Sequence, residues 1–144
     1  MNKKICFDMD GTIANLYAVE NWLNMVRAYD PTPYAQAEPM VNMSALARLL
    51  HKAQRLGYEI VIISWLSKTS ELPYDIAVTQ AKTGWLKEHL PSVEWDEIHI
   101  VPYGTPKHEI CSGVLFDDEE RNRIEWGEGA FEPCKILEFL RGLE

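Results

Sequence analysis

No apolar run in the chain approaches the roughly 20 residues of a membrane-spanning helix. The first residues, MNKKICFDMDG, also lack the charged-then-apolar pattern of a secretory leader, so a cytoplasmic location is expected. Cysteine is scarce. Cys6, Cys111 and Cys134 are too few and too scattered for a disulfide framework and form no Cys-x-x-Cys pair, which leaves them as reduced core thiols. The four histidines, His51, His89, His99 and His108, include no closely spaced zinc-binding pair, which argues against a zinc enzyme. Positive charge is in deficit, with 14 Lys and Arg against 22 Asp and Glu and a net charge of −8. Stable binding to long nucleic acid is therefore not expected, because proteins that track phosphate backbones carry an excess of Lys and Arg. A small phosphorylated substrate stays compatible with this charge, since a bound divalent cation inverts the local field. Internal repeats, low-complexity tracts and interdomain linkers are missing too.

What is present fits one domain over residues 1–144, long enough to bury roughly two thirds of the surface its unfolded form exposes. A hydrophobic fraction of 47% excludes disorder on composition. Lys4 to Met9 reads as a short buried strand ending at Gly11. Ser44 precedes a helical pattern in which Leu46, Leu49, Leu50 and Ala53 share one face, with Gly57 placed to stop it. YEIVIIS, Tyr58 to Ser64, is apolar and rich in β-branched residues, as in a strand covered on both faces. After a loop around Leu72 and Pro73, Ile76 to Leu90 carries Ala77, Ala81, Trp85 and Leu86 at helical spacing, and Pro91 ends it. EIHIVP, Glu97 to Pro102, is a third strand, and Thr105 and Pro106 read as an N-cap and first-turn proline of a short helix. GVLFDD, Gly113 to Asp118, is a fourth strand, EERNRIEW a helix, Ala130 and Phe131 a short further strand, and PCKILEFL, Pro133 to Leu140, a terminal helix. The alternation predicts an α/β fold: a Rossmann-like three-layer sandwich with a mostly parallel sheet.

One irregularity interrupts it. Residues 13–43 separate the first strand from the first crossover helix. Leu16, Val19, Leu23 and Val26 there suit an amphipathic helix, followed by the proline-containing stretch Tyr29 to Pro39. The insertion reads as a small lid over the mouth of the sheet, the alternative being an elaborate crossover that only packs on the core. Its apolar residues allow a homodimer.

Ligands of open parallel sheets bind at the carboxyl ends of the strands. The polar residues expected there are Asp8 and Asp10, Ser64, and Asp117 and Asp118. Four carboxylates gathered without a cation would repel one another, so a metal reconciles them. Oxygen ligands without a His or Cys cluster point to Mg2+. Lys107 offers a second positive charge.

These residues resemble the haloacid dehalogenase superfamily of phosphotransferases. DMDGT, Asp8 to Thr12, matches that family's first motif in full; Ser64 after IVII matches the second, Lys107 the third, and LFDD, Leu115 to Asp118, the fourth. The resemblance runs from about Lys4 to Pro133. It implies that Asp8 attacks phosphorus and forms an aspartyl-phosphate, while Asp10 protonates the leaving oxygen and then activates water. It implies Mg2+ held by Asp8, the Asp10 backbone carbonyl and Asp117, with Asp118 acting on it directly or through water, and Ser64, Lys107 and Thr12 around the phosphoryl group. Within the superfamily the chain is most similar to the 5'(3')-deoxyribonucleotidase group, through EPMVNMSALARLLHKAQRLGYEIVIIS, GWLKEHLP and TPKHEICSGVLFDDEERN. This implies a nucleoside monophosphate substrate. In the small lid Tyr17 or Trp22 offers a face on which a base could stack, the alternative being that both anchor the lid to the core, and Trp65, where that group has a smaller residue, is a further candidate for substrate contact. The other readings are a phosphatase for nucleic-acid ends or another bulky phosphoester, and a non-catalytic binding module on the same fold.

Overall fold

The computed structural model describes residues 3–144. Within it the first strand forms at Lys4–Phe7 (β1) and lies at the centre of a five-stranded sheet. Its neighbours are Glu59–Trp65 (β4) on one side and Val114–Phe116 (β6) on the other, both parallel to it. Glu97–Val101 (β5) and Ala130–Phe131 (β7) close the edges in the order β5-β4-β1-β6-β7. Every pairing in this sheet is parallel, and the order reverses direction beside β1. The expected α/β architecture is therefore present.

Alternation along the strands divides the apolar residues between two faces. Ile5, Phe7, Ile60, Ile62 and Phe116 belong to one core, completed by helices Met43–Arg55 (α3), Leu72–His89 (α4) and Ile136–Arg141 (α6) through Leu46, Leu50, Trp85, Leu86, Ile136 and Leu140. Cys6, Val61, Ile63 and Leu115 belong to the other, covered by Ile110, Cys111 and Trp126 of Glu120–Trp126 (α5). Each fully buried Ile, Leu or Phe contributes about 1.5–3 kcal/mol of burial free energy. Cys6 and Cys111 are buried free thiols as expected, whereas Cys134 is exposed.

Several boundaries differ from the sequence expectation, for local reasons. The cap of α3 is Asn42, whose side-chain oxygen accepts the Ala45 N–H at 2.9 Å; Ser44 already lies inside the helix. Helix α4 starts at Leu72 and not at Ile76, because Pro73 falls in the first turn, where its missing N–H leaves no hydrogen bond unmade. Pro106 takes the cap position of the tight helical turn Lys107–Glu109, and the Thr105 hydroxyl donates backwards to the Pro102 carbonyl at 2.6 Å.

The insertion departs most. A two-stranded antiparallel pair, Ala14–Asn15 (β2) with Glu38–Pro39 (β3), brackets two short helices, Trp22–Arg27 (α1) and Thr32–Gln36 (α2). The continuous amphipathic helix expected through Leu16, Val19, Leu23 and Val26 does not form: Asn21 adopts φ 61 and breaks it, and Leu23 faces solvent. Leu16 and Val26 pack with Tyr34 and with Tyr74 and Val78 of α4, so the insertion rests on the first half of that helix. Among the described residues, no helix is long and apolar enough to cross a membrane.

Candidate active site

Because the strands run parallel, their carboxyl ends share one edge of the sheet. The Asp8 N–H still donates to the Phe116 carbonyl at 3.0 Å and the Asp117 N–H to the Phe131 carbonyl at 3.1 Å, so both aspartates prolong the sheet by one residue. They open onto a cavity of about 290 Å³ that is also lined by Asp10, Trp65, Lys107 and Asp118. The chain then turns sharply at Gly11. A side chain there would collide with the Asp118 carboxylate, and the φ of +80 is one that glycine adopts freely.

Lys107 organises the carboxylates. Its buried ammonium donates to Asp8 Oδ1 at 2.8 Å and to Asp117 Oδ2 at 2.7 Å. Burial alone would lower its pKa, but the two carboxylates outweigh that and raise it. The other oxygen of Asp8 accepts from the Thr12 hydroxyl at 2.8 Å, and that hydroxyl in turn accepts the Asp118 N–H at 3.2 Å. Asp117 is held further by the Glu119 N–H at 2.9 Å and the Asn122 side-chain amide at 3.1 Å.

Asp8, Asp117 and Asp118 place carboxylate oxygens within 4.8 Å of one another. One lysine does not neutralise three such groups. Burial first, and then the negative charge of Asp8 and Asp117, push Asp118 up to about 8, and Asp117 also titrates above the usual carboxylate range. An all-oxygen donor set with residual negative charge fits a hard divalent cation such as Mg2+. A second mixed group, Glu97, His99 and Cys111, begins at the opposite end of β5, where Glu97 is already paired with Lys4 at 2.6 Å and with His99 at 2.8 Å.

The raised pKa of Asp118 has a measurable consequence. Its native state keeps a proton that the unfolded chain, titrating near 4, releases; stability is therefore lost as pH rises from about 4 towards 8. A cation at the three carboxylates would take the place of that proton. Thermal denaturation should show a larger gain in Tm from Mg2+ over chelator at pH 8.5 than at pH 5.5. Equal gains would contradict a cation site at Asp118.

The remaining expected site residues divide. Tyr17 and Trp22 line the cavity, edge to face with ring centroids 5.0 Å apart, and Trp65 lines it beside Tyr103 at 4.9 Å. Thr12 and Ser64 are wholly buried and do not line it. The Asp10 carboxylate lies outside the group formed by Asp8, Asp117 and Asp118. Its pKa is raised, by burial above all and by Asp8, against the opposing pull of Lys82.

Lys82 is the residue that sequence reasoning missed. It is only 1% exposed, and its ammonium donates to Asp10 Oδ2 at 2.8 Å, Ser64 Oγ at 2.6 Å and the Trp65 carbonyl at 2.7 Å. The signal was available: a lysine four residues after Val78 and three before Trp85 lies on the buried face of α4, where a charge needs a partner.

No protein-family model matches the chain, and no curated protein matches it. Among solved structures it is similar to the D,D-heptose 1,7-bisphosphate phosphatase from Burkholderia thailandensis, with a TM-score of 0.57 over 96% of this chain and 99% of that one. At 13% identity, the likeness is one of fold.

Proposed function

We propose that the chain is a Mg2+-dependent phosphomonoester hydrolase of the haloacid dehalogenase type, working through an aspartyl-phosphate at Asp8. The observation that carries this reading is the pairing of Asp8 and Asp117 through buried Lys107, at the strand ends and in one cavity with Asp10. The fold shared with a bisphosphate phosphatase supports it.

Thr12 and Lys107 fix the two oxygens of Asp8, so the carboxylate meets the substrate in one orientation. An Asp8 oxygen attacks phosphorus; the new P–O bond forms as the bond to the leaving oxygen breaks, and that oxygen takes the proton carried by Asp10. Burial favours the protonated form of Asp10 and so suits it to this step. Asp10, now ionised, accepts a proton from the water that attacks the phosphoryl group. Inorganic phosphate leaves and the Asp8 carboxylate is restored. Lys107 offsets the charge that accumulates beside Asp8. When bound, Mg2+ would be held by Asp8, Asp117, Asp118 and the Asp10 backbone carbonyl and would supply positive charge that screens the phosphoryl oxygens from the carboxylates.

The substrate of this reading is a nucleoside monophosphate, and residues 13–43 are a lid over it. Two aromatic pairs, Tyr17 with Trp22 and Trp65 with Tyr103, line the cavity and offer faces on which any base can stack.

The test is phosphate release from a panel of ribo- and deoxyribonucleoside monophosphates and an aryl phosphate, with Mg2+ and with chelator. Turnover of deoxyribonucleotides only with Mg2+ is expected. Each of Tyr17→Ala and Trp22→Ala should raise KM roughly tenfold, since base stacking is worth about 1–3 kcal/mol. Unchanged KM in both variants would rule out stacking on the lid. Release from the aryl phosphate alone would rule out nucleotides, and release from nothing would rule out the enzyme.

A further inference from the structure

We infer that Lys82 is a positioning residue that fixes the rotation of the Asp10 carboxylate, so that Asp10 presents one defined oxygen for proton exchange. The inference rests on the hydrolase reading above and on three observations about Lys82.

The first is saturation. An ammonium has three donors and no acceptor, and Asp10 Oδ2, Ser64 Oγ and the Trp65 carbonyl take one each, all at 2.6–2.8 Å. No donor is left for a substrate. Lys82 does not line the cavity, so it acts through Asp10.

The second is asymmetry in Asp10. Its Oδ2 is held by Lys82, whereas among the described residues no hydrogen bond involves its Oδ1. The terminal torsion of an aspartate is broad and roughly two-fold, and an unheld carboxylate would sample both edges. Lys82 removes that freedom and reserves Oδ1 for the reacting oxygen.

The third is provenance. Lys82 belongs to α4, and its two other acceptors are the last two residues of β4. The loop carrying Asp10 is thereby tied to the sheet through a charge that is otherwise expensive. Buried ion pairs are often replaceable by well-packed apolar residues without loss of stability, and the buried face of α4 already supplies Tyr74, Val78, Trp85 and Leu86. A lysine there calls for a role other than packing.

The experiment compares wild type with Lys82→Met on two phosphate esters. An alkyl phosphate needs its leaving oxygen protonated; p-nitrophenyl phosphate does not. With the alkyl ester kcat should fall about 10²–10⁴-fold, the range of a lost acid–base contribution, with KM within about threefold. The first-turnover burst of p-nitrophenolate should fall less than about tenfold, because general-acid help is not needed there. Equal losses on the two esters, or an unchanged kcat, overturn the inference. A comparison in the Asp10→Asn background covers the case in which Lys82→Met alone does not fold: the double variant leaves neither charge of the pair behind, and adding Lys82→Met to Asp10→Asn should change kcat less than about threefold. A further large drop would mean that Lys82 acts on something besides Asp10. Wild type inactive on every ester overturns the hydrolase reading and this inference together, whereas wild type active with substrate-independent losses overturns this inference alone.

Discussion

Asp8→Asn is expected to lower phosphate release on the order of 10⁴-fold or more, the scale seen when a covalent nucleophile is removed. The amide is nearly isosteric with the carboxylate but carries no nucleophilic charge, and it cannot accept from Lys107 and Thr12 at once, since one of its two positions is a donor. The fold should survive. Asp8 is, after burial, the chief reason that Asp118 titrates so high, so at pH 8 the relief of that repulsion offsets part of what is lost with the Asp8–Lys107 pair, and Lys107 keeps Asp117 as its partner. Acid-quenched reactions with labelled substrate give a second readout: wild type should retain covalent phosphate and the variant none. A variant keeping more than a few per cent of the activity would end the aspartyl-phosphate mechanism.

Lys107→Met should produce the largest loss of stability at the site. It leaves Asp8 and Asp117 buried without their cation, and breaking a buried pair by deleting one partner costs about 3–5 kcal/mol. For a chain of this size that is a drop in Tm of roughly 6–20 °C. The sign of its pH dependence follows from linkage. The raised pKa of Lys107 means that its own stabilising contribution is complete at neutral pH and fades only above the ordinary lysine range, near 10.4. In the variant the stranded carboxylates are pushed towards protonation, so the deficit should be greatest near pH 8 and smaller near pH 5. Saturating Mg2+ should recover part of it, because another cation would then sit among the same oxygens. Denaturation curves at the two pH values, in Mg2+ and in chelator, supply the comparison. A deficit under about 1 kcal/mol at pH 8 in chelator, the scale of an exposed pair, would mean that Lys107 does not hold the site together.

The sheet was legible because its strands are short apolar runs separated by helical patterns, and the residues that follow them in the chain are the ones that gather at its edge. The element ends were less legible. They are decided by single hydrogen bonds and single dihedrals, such as the Asn42 cap, the first-turn placement of Pro73 and the left-handed Asn21, and periodicity is blind to all three. Within the site, proximity was readable and orientation was not. Ser64 and Thr12 stand where the motif order places them, yet both turn inward, one to Lys82 and the other to Asp8 and Asp118. Lys82 escaped notice because a helical pattern is read from its apolar members, and the exception on the buried face carries the information.

The ammonium of Lys107 reaches back 99 residues to Asp8, and β6 pairs with β1 across a comparable stretch of chain. Contacts this distant in sequence are made late in folding, since the entropy of closing the loop must be met before they form. While the chain is being synthesised, Asp10 therefore gains its partner Lys82 first, and Asp8 waits longer for Lys107. The centre comes into being only when the segment carrying Lys107, Asp117 and Asp118 docks beside Asp8, so nascent chains that end before residue 117 should be inert.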